Sequence, residues 1–160
     1  MNTLVIDASI AVKWVVEEEG TPEALSLRHQ ARLIAPELLV AESANILWKK
    51  VQRGELSKDE ALLAARLLEA ADIELLPTRP LLVAATRIAI DLNHPAYDCL
   101  YLALATASDC RFVTADERFL RKLGEGRRSA LRDRAISLTE AASGPEAPTP
   151  RKGRSKQSTR

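Results

Sequence analysis

The chain has 160 residues, 46% hydrophobic and 28% charged, which is the profile of one soluble domain with a real core. A net charge of +1 excludes partner recognition by bulk charge, so any electrostatic work must come from local clusters. No apolar run approaches a membrane span, no secretory leader is legible, and two cysteines cannot close a structural zinc site.

Thr3–Ile6 is a short apolar run of β type that Asp7 closes. Ala8 to about Val16 has helical character and ends in Glu17-Glu18-Glu19-Gly20. Thr21-Pro22 then marks a helix start, with Thr21 as cap and proline at the first position. Leu33–Ala35 is a second strand. Leu38 to Arg53 is a long helix with apolar residues at helical spacing, stopped by Gly54. Ser57-Lys58-Asp59-Glu60 is a capping box for a helix reaching Ala71. Only Gly54-Glu55-Leu56 links the two, so they form an antiparallel hairpin.

Ile73–Leu76 is a third strand. A helix runs from Arg79-Pro80 to about Leu92, where Asn93-His94-Pro95 breaks the pattern. Ala96 to Ser108 is apolar nearly all round, which predicts a buried helix. Phe112-Val113 is a strand, Asp116–Leu123 a helix, and Ala135–Leu138 a last strand. Strands alternating with helices predict a parallel sheet between helical layers. Cys99 and Cys110, in apolar company, are expected to be buried free thiols of a reducing cytosol. From Ser143 the chain is rich in Pro, Gly, Ser and Thr, with five basic residues against Glu146. Such a segment cannot bury a core and is expected to be disordered, which divides the chain into a domain (1–142) and a basic tail (143–160).

Four acids stand out against this frame. Asp7 and Asp116 fall at the carboxyl ends of strands, where parallel sheets place their sites. Asp98 opens the buried helix, and Glu42 sits among apolar neighbours with Asn45 three residues on. Taken singly, Asp98 and Asp116 read first as helix caps. Taken together, two carboxylates about 4 Å apart cost about 4 kcal/mol at an effective dielectric near 20, so a cation is needed to make the group favourable. All-oxygen ligands select Mg²⁺ or Mn²⁺, and the usual substrate for that chemistry is a phosphodiester. His29 and His94 have no ligand spacing to each other and read as surface or turn residues. With histidine this scarce, a Ser–His–Asp or Cys–His mechanism has no support.

These residues resemble the motifs of the PIN-domain nucleases. Asp7-Ala8-Ser9 with Val12-Lys13-Trp14 is similar to the family's opening motif. Pro36-Glu37-Leu38 with Glu42 and Asn45, Tyr97-Asp98 with Tyr101, and Phe112-Val113-Thr114-Ala115-Asp116 with Phe119 follow in the family's order. The nearest resemblance is to VapC-type toxins of bacterial and archaeal toxin–antitoxin pairs. The resemblance implies an α/β, PIN-like three-layer sandwich with a central, mostly parallel sheet and helices on both faces. It implies a metal-dependent endoribonuclease with Asp7, Glu42, Asp98 and Asp116 as catalytic acids, and Asp7, Asp98 and Asp116 holding Mg²⁺ or Mn²⁺. Ser9, Asn45 and Thr114 stand beside them to orient carboxylates or water. RNA is the implied substrate, a VapB-like antitoxin and a second copy of the chain the implied partners, and the cytoplasm the implied location.

The run from Arg118 to Arg134 holds seven basic residues, with Arg118 nearest the acids as the candidate RNA contact; its alternative reading is a solvated face. The hairpin's Leu39, Val40, Leu56, Leu62, Leu63, Leu67 and Leu68 are more apolar surface than one core face needs and suit a dimer or antitoxin groove. A receiver domain would need an acid beside Asp7 and a late lysine after a strand. A dehalogenase-type phosphatase would need an aspartate where Ser9 stands. A non-catalytic RNA-binding module and a housekeeping RNA-processing nuclease are the other readings.

Overall fold

A computed structural model describes residues 2–125 and 129–144. Five parallel strands form one sheet in the order β3-β2-β1-β4-β5. The strands are β1 (Asn2–Ile6), β2 (Ala31–Pro36), β3 (Glu74–Leu76), β4 (Arg111–Thr114) and β5 (Ala135–Ser137). β1 lies at the centre, with Leu4 opposite both Leu33 of β2 and Arg111 of β4. The chain builds outward from β1 to β2 and β3, then returns to β1's other side for β4 and β5. That reversal is a topological switch point, and it lies between β1 and β4. The last three residues of β1 and of β4 are buried, as expected of inner parallel strands covered on both faces.

The helices are α1 (Ala8–Val12), α2 (Thr21–Gln30), α3 (Leu38–Gln52), α4 (Lys58–Glu69), α5 (Leu82–Leu92), α6 (Ala96–Ala107), α7 (Glu117–Glu125), α8 (Ser129–Arg132) and α9 (Leu138–Ala142), with a 3-10 turn at Arg79–Leu81 before α5. α6 lies against β1, β2 and β4 and pairs with α5. It buries Cys99, Tyr101, Leu102, Ala103, Leu104 and Ala105, so the expectation of a buried helix holds. α1 packs on α3, and α3 on α4, as the hairpin reading requires. Gly54 closes that hairpin at φ +73°, a left-handed turn that favours glycine. Cys99 and Cys110 are buried and unbridged.

Two local expectations change. α1 stops at Val12 rather than near Val16. Beyond it the Lys13 ammonium reaches Glu18 and the Glu19 carbonyl, and the Trp14 indole donates to the Ala24 carbonyl, which wraps the segment onto α2. Thr21 is not the cap of α2; Gly20 is, at φ +86°. Thr21 Oγ1 instead accepts from the Glu18 amide and donates to the Val16 carbonyl. Among the described residues, no helix is long and apolar enough to cross a membrane. The expected basic tail falls, from residue 145 on, outside the described residues.

Candidate active site

Each acid is set by the element it ends or starts. Asp7 leaves β1 in extended geometry and caps α1, its Oδ1 accepting the Ile10 amide at 3.0 Å. Asp116 does the same for α7, accepting the Phe119 amide at 3.0 Å. Asp116 is therefore the cap that its sequence suggested, and Asp7, not read as one, is a cap as well. Thr114, fully buried at the end of β4, joins them: its hydroxyl donates to Asp7 Oδ2 at 2.9 Å and accepts the Asp116 amide at 3.0 Å. The Ser9 hydroxyl donates to Asp7 Oδ1 at 2.6 Å. Parallel pairing of Ile6 with Val113 is what makes this short link between residues 107 apart possible.

Asp98 is not a cap. It stands in the first turn of α6 and its Oδ2 lies 2.8 Å from His94 Nε2. Glu42 reaches in from α3, and its Oε1 is buried without a hydrogen-bond partner. The Tyr101 hydroxyl is near enough to favour the charged form of Glu42. The pair nonetheless misses bonding geometry, and that hydroxyl is orphaned too. Asn45, one turn beyond Glu42, is exposed; among the described residues no hydrogen bond joins it to the acids.

A cavity of about 520 Å³ opens over this group, lined by Glu42, His94, Pro95, Tyr97, Asp98, Asp116, Arg118 and Lys122. The electrostatics are those of crowded, unneutralised acids. Burial pushes Asp7 above the ordinary carboxylate value, against the pull of Ser9, Ile10 and Thr114. Burial also raises Glu42, with Asp7 adding to it. Asp98 is pushed up to about 8, first by burial, then by Asp116, Asp7 and Glu42. The four predicted acids thus share one electrostatic site.

Reading the sequence missed His94. It does lie in the turn between α5 and α6, but its side chain is only 7% exposed and packs on Phe119 with ring centroids 4.9 Å apart. Its signal was the spacing to Asp98 four residues on, across Pro95, rather than to another histidine. Single polar atoms of His94, Asp98 and Asp116 lie within 4.8 Å of one another, and Asp7 and Glu42 stand outside this tightest group. Of the basic run, Arg118 and Lys122 line the cavity, Lys122 while donating to the Asn93 carbonyl at 2.8 Å. Arg132 and Arg134 are engaged elsewhere, with the Ala135 carbonyl and Asp109. Arg127 and Arg128 lie outside the described residues.

Does the group fit a divalent cation? An orphaned buried carboxylate oxygen, raised carboxylates and a donor set dominated by hard oxygens all fit one. Fold and site together define a class: parallel α/β domains with an acidic hole at the switch point of the sheet.

Comparison with known proteins agrees. The PIN domain profile matches residues 4–125. Ribonuclease VapC1 of Mycobacterium tuberculosis is 32% identical over 119 residues, covering 74% of this chain and 89% of that protein. VapC ribonuclease Mb0985 of Mycobacterium bovis is 31% identical over 115 residues, covering 72% and 87%. The crystal structure of PAE2754 from Pyrobaculum aerophilum superposes with a TM-score of 0.66 at 20% identity, over 89% of this chain and 93% of that one. The chain belongs to the PIN-domain family, in its VapC branch.

Proposed function

We propose that this protein is a metal-dependent endoribonuclease, the toxin of a VapBC-type pair. The observation that carries this is the lining of one cavity by Glu42, Asp98 and Asp116, with Asp7 buried beside them and coupled to Asp98 and Glu42 by its charge. The ribonuclease names of the two mycobacterial relatives support the substrate class. Asp7, Asp98 and Asp116 would hold Mg²⁺ or Mn²⁺; when bound, the ion supplies Lewis acidity toward a phosphate oxygen and acidifies water. Ser9 and Thr114 hold the Asp7 carboxylate in one orientation, and the Asp116 cap fixes Asp116 against α7. Glu42, which lines the cavity with its Oε1 unbonded, is the group available to take a proton from an attacking water. Arg118, exposed at the cavity wall, supplies positive charge for the phosphate backbone.

The catalytic unit in this reading is residues 1–142, followed by a basic accessory tail. The antitoxin or a second copy would use the outer face of α3 and α4. Val40, Trp48, Leu62, Leu63 and Leu67 are each about half exposed there. A cavity of about 550 Å³ lined by Val15, Val16, Leu56, Leu63 and Leu67, with acids Glu17, Glu55 and Glu60, runs along it. Leu39, also expected on this face, is buried in the core instead.

The test is cleavage of a mixed-sequence RNA by purified protein with Mg²⁺, Mn²⁺ or EDTA, beside Asp98→Asn. Metal-dependent cleavage lost in the variant is expected. RNA binding that survives EDTA without cleavage would establish a binding module instead. Growth arrest on expression of wild type, absent with Asp7→Ala, separates a toxin from a housekeeping nuclease.

A further inference from the structure

We infer that His94 is a positioning residue of this centre: a neutral imidazole that donates its Nε2–H to Asp98 Oδ2, aims that carboxylate at the cation, and does not itself ligate it. The inference rests on the metal-dependent reading above. Three elements hold the ring. Asn93 ends α5 in the left-handed region at φ +49°, and the His94 amide donates back to the Ala89 carbonyl. Pro95 then starts α6, which carries Asp98. From α7, Phe119 packs on the ring, and Lys122 clasps the Asn93 carbonyl. Only the Nε2 edge meets a polar partner, at 2.8 Å. Nδ1 is buried and has none.

That orphaned Nδ1 decides the protonation state. A buried N–H left without an acceptor costs about 1–3 kcal/mol. An imidazolium would bury such an N–H at Nδ1. So would the Nδ1–H tautomer, which, once Asp98 is ionised to hold the cation, would also set the Nε2 lone pair against a carboxylate oxygen. Ligation of a cation through Nε2 again needs the proton at Nδ1. Ligating histidines nearly always give that second N–H a partner, and His94 offers it none. The Nε2–H tautomer leaves only a bare lone pair unmet. It occupies Asp98 Oδ2 and leaves Oδ1 for the cation. In a hole crowded with acids, this neutral donor fixes a carboxylate without adding a charge that competes with the metal.

The chain contains only His29 and His94, so ¹⁵N-histidine labelling gives two sets of ring signals, assigned with His29→Gln. The expected spectrum of wild-type protein with saturating Mg²⁺, where Asp98 is ionised, has His94 neutral and protonated at Nε2. A proton at Nδ1 in that state overturns the inference. Mn²⁺ binding, followed by electron paramagnetic resonance, supplies the second readout. His94→Ala is expected to weaken it about 10- to 100-fold. His94→Gln, whose amide N–H reaches the same place, should stay within about threefold of wild type. Equal Mn²⁺ affinity in wild type and His94→Ala overturns the inference while sparing the metal reading. Failure of wild type to bind Mn²⁺ at all overturns both. If His94→Ala does not fold, the wild-type spectra still decide.

Discussion

Among the described residues, partly buried charge gathers beside α1 and at the ends of β1 and β4, and the two clusters are built on opposite plans. Beside α1, Glu18 takes Lys50 Nζ at 2.7 Å and Lys13 Nζ at 3.2 Å. Burial alone would raise the Glu18 carboxyl, but the two lysines outweigh it and hold it below the ordinary value. At the ends of β1 and β4, by contrast, acids face acids and Asp98 is pushed up to about 8. The first cluster is complete within the chain and serves to tie the loop after α1 to α3. The second is left incomplete, which is a cost that folding alone does not explain and that a bound cation would remove.

Separating the two is the most direct way to break this contrast. Asp7→Asn should lower RNA cleavage by more than ~100-fold, while Glu18→Gln leaves the rate within about twofold. Single-turnover assays read both; equal losses would mean that the acidic hole has no special role.

The next effect is on stability against pH. The folded state holds Asp98 protonated up to about pH 8, whereas the unfolded chain releases that proton near 3.8. Between these values the folded state binds more protons, so metal-free protein loses stability as pH rises. Glu18 acts with the opposite sign: its contribution is present above its unfolded value of 4.5 and fades as pH falls below it. Thermal melts without metal should therefore peak near pH 5. Mg²⁺ or Mn²⁺ should raise Tm more at pH 8 than at pH 5, and a uniform rise would contradict the proton–metal competition.

Smaller still are the costs of neutralising one acid in each cluster. Asp98→Asn should stabilise the metal-free protein at pH 8 by roughly 1–2 kcal/mol, by removing repulsion. Glu18→Gln should destabilise it by about 1 kcal/mol or less, since Glu18 is partly screened by solvent. Opposite signs in chemical denaturation sharpen the distinction; like signs erase it. Last, Arg118→Ala should weaken RNA binding a few-fold and reduce the salt slope by about one.

Much of this was legible before any coordinates. An apolar β run ending in aspartate, twice, marks two inner strands whose carboxyl ends must converge in a parallel sheet. The buried α6 and the capping box at Ser57 were equally open to reading, because helical periodicity and cap chemistry are local. What stayed hidden depends on tertiary contact. The early end of α1 is set by Lys13 and Trp14 reaching partners on later segments. His94 looked like part of a helix break because its value comes from Asp98 and Phe119 together. α5 carries an unforeseen exposed apolar stripe of Leu82, Val83 and Ile90; helical spacing marks such residues as one face but does not say which face meets the sheet.

The bond from Thr114 to Asp7 has a further consequence for synthesis on the ribosome. β1 emerges early, yet its neighbour β4 comes more than a hundred residues later. Until β4 docks, Asp7 has neither Thr114 nor Asp116 beside it. A chain that ends before that point carries no assembled centre.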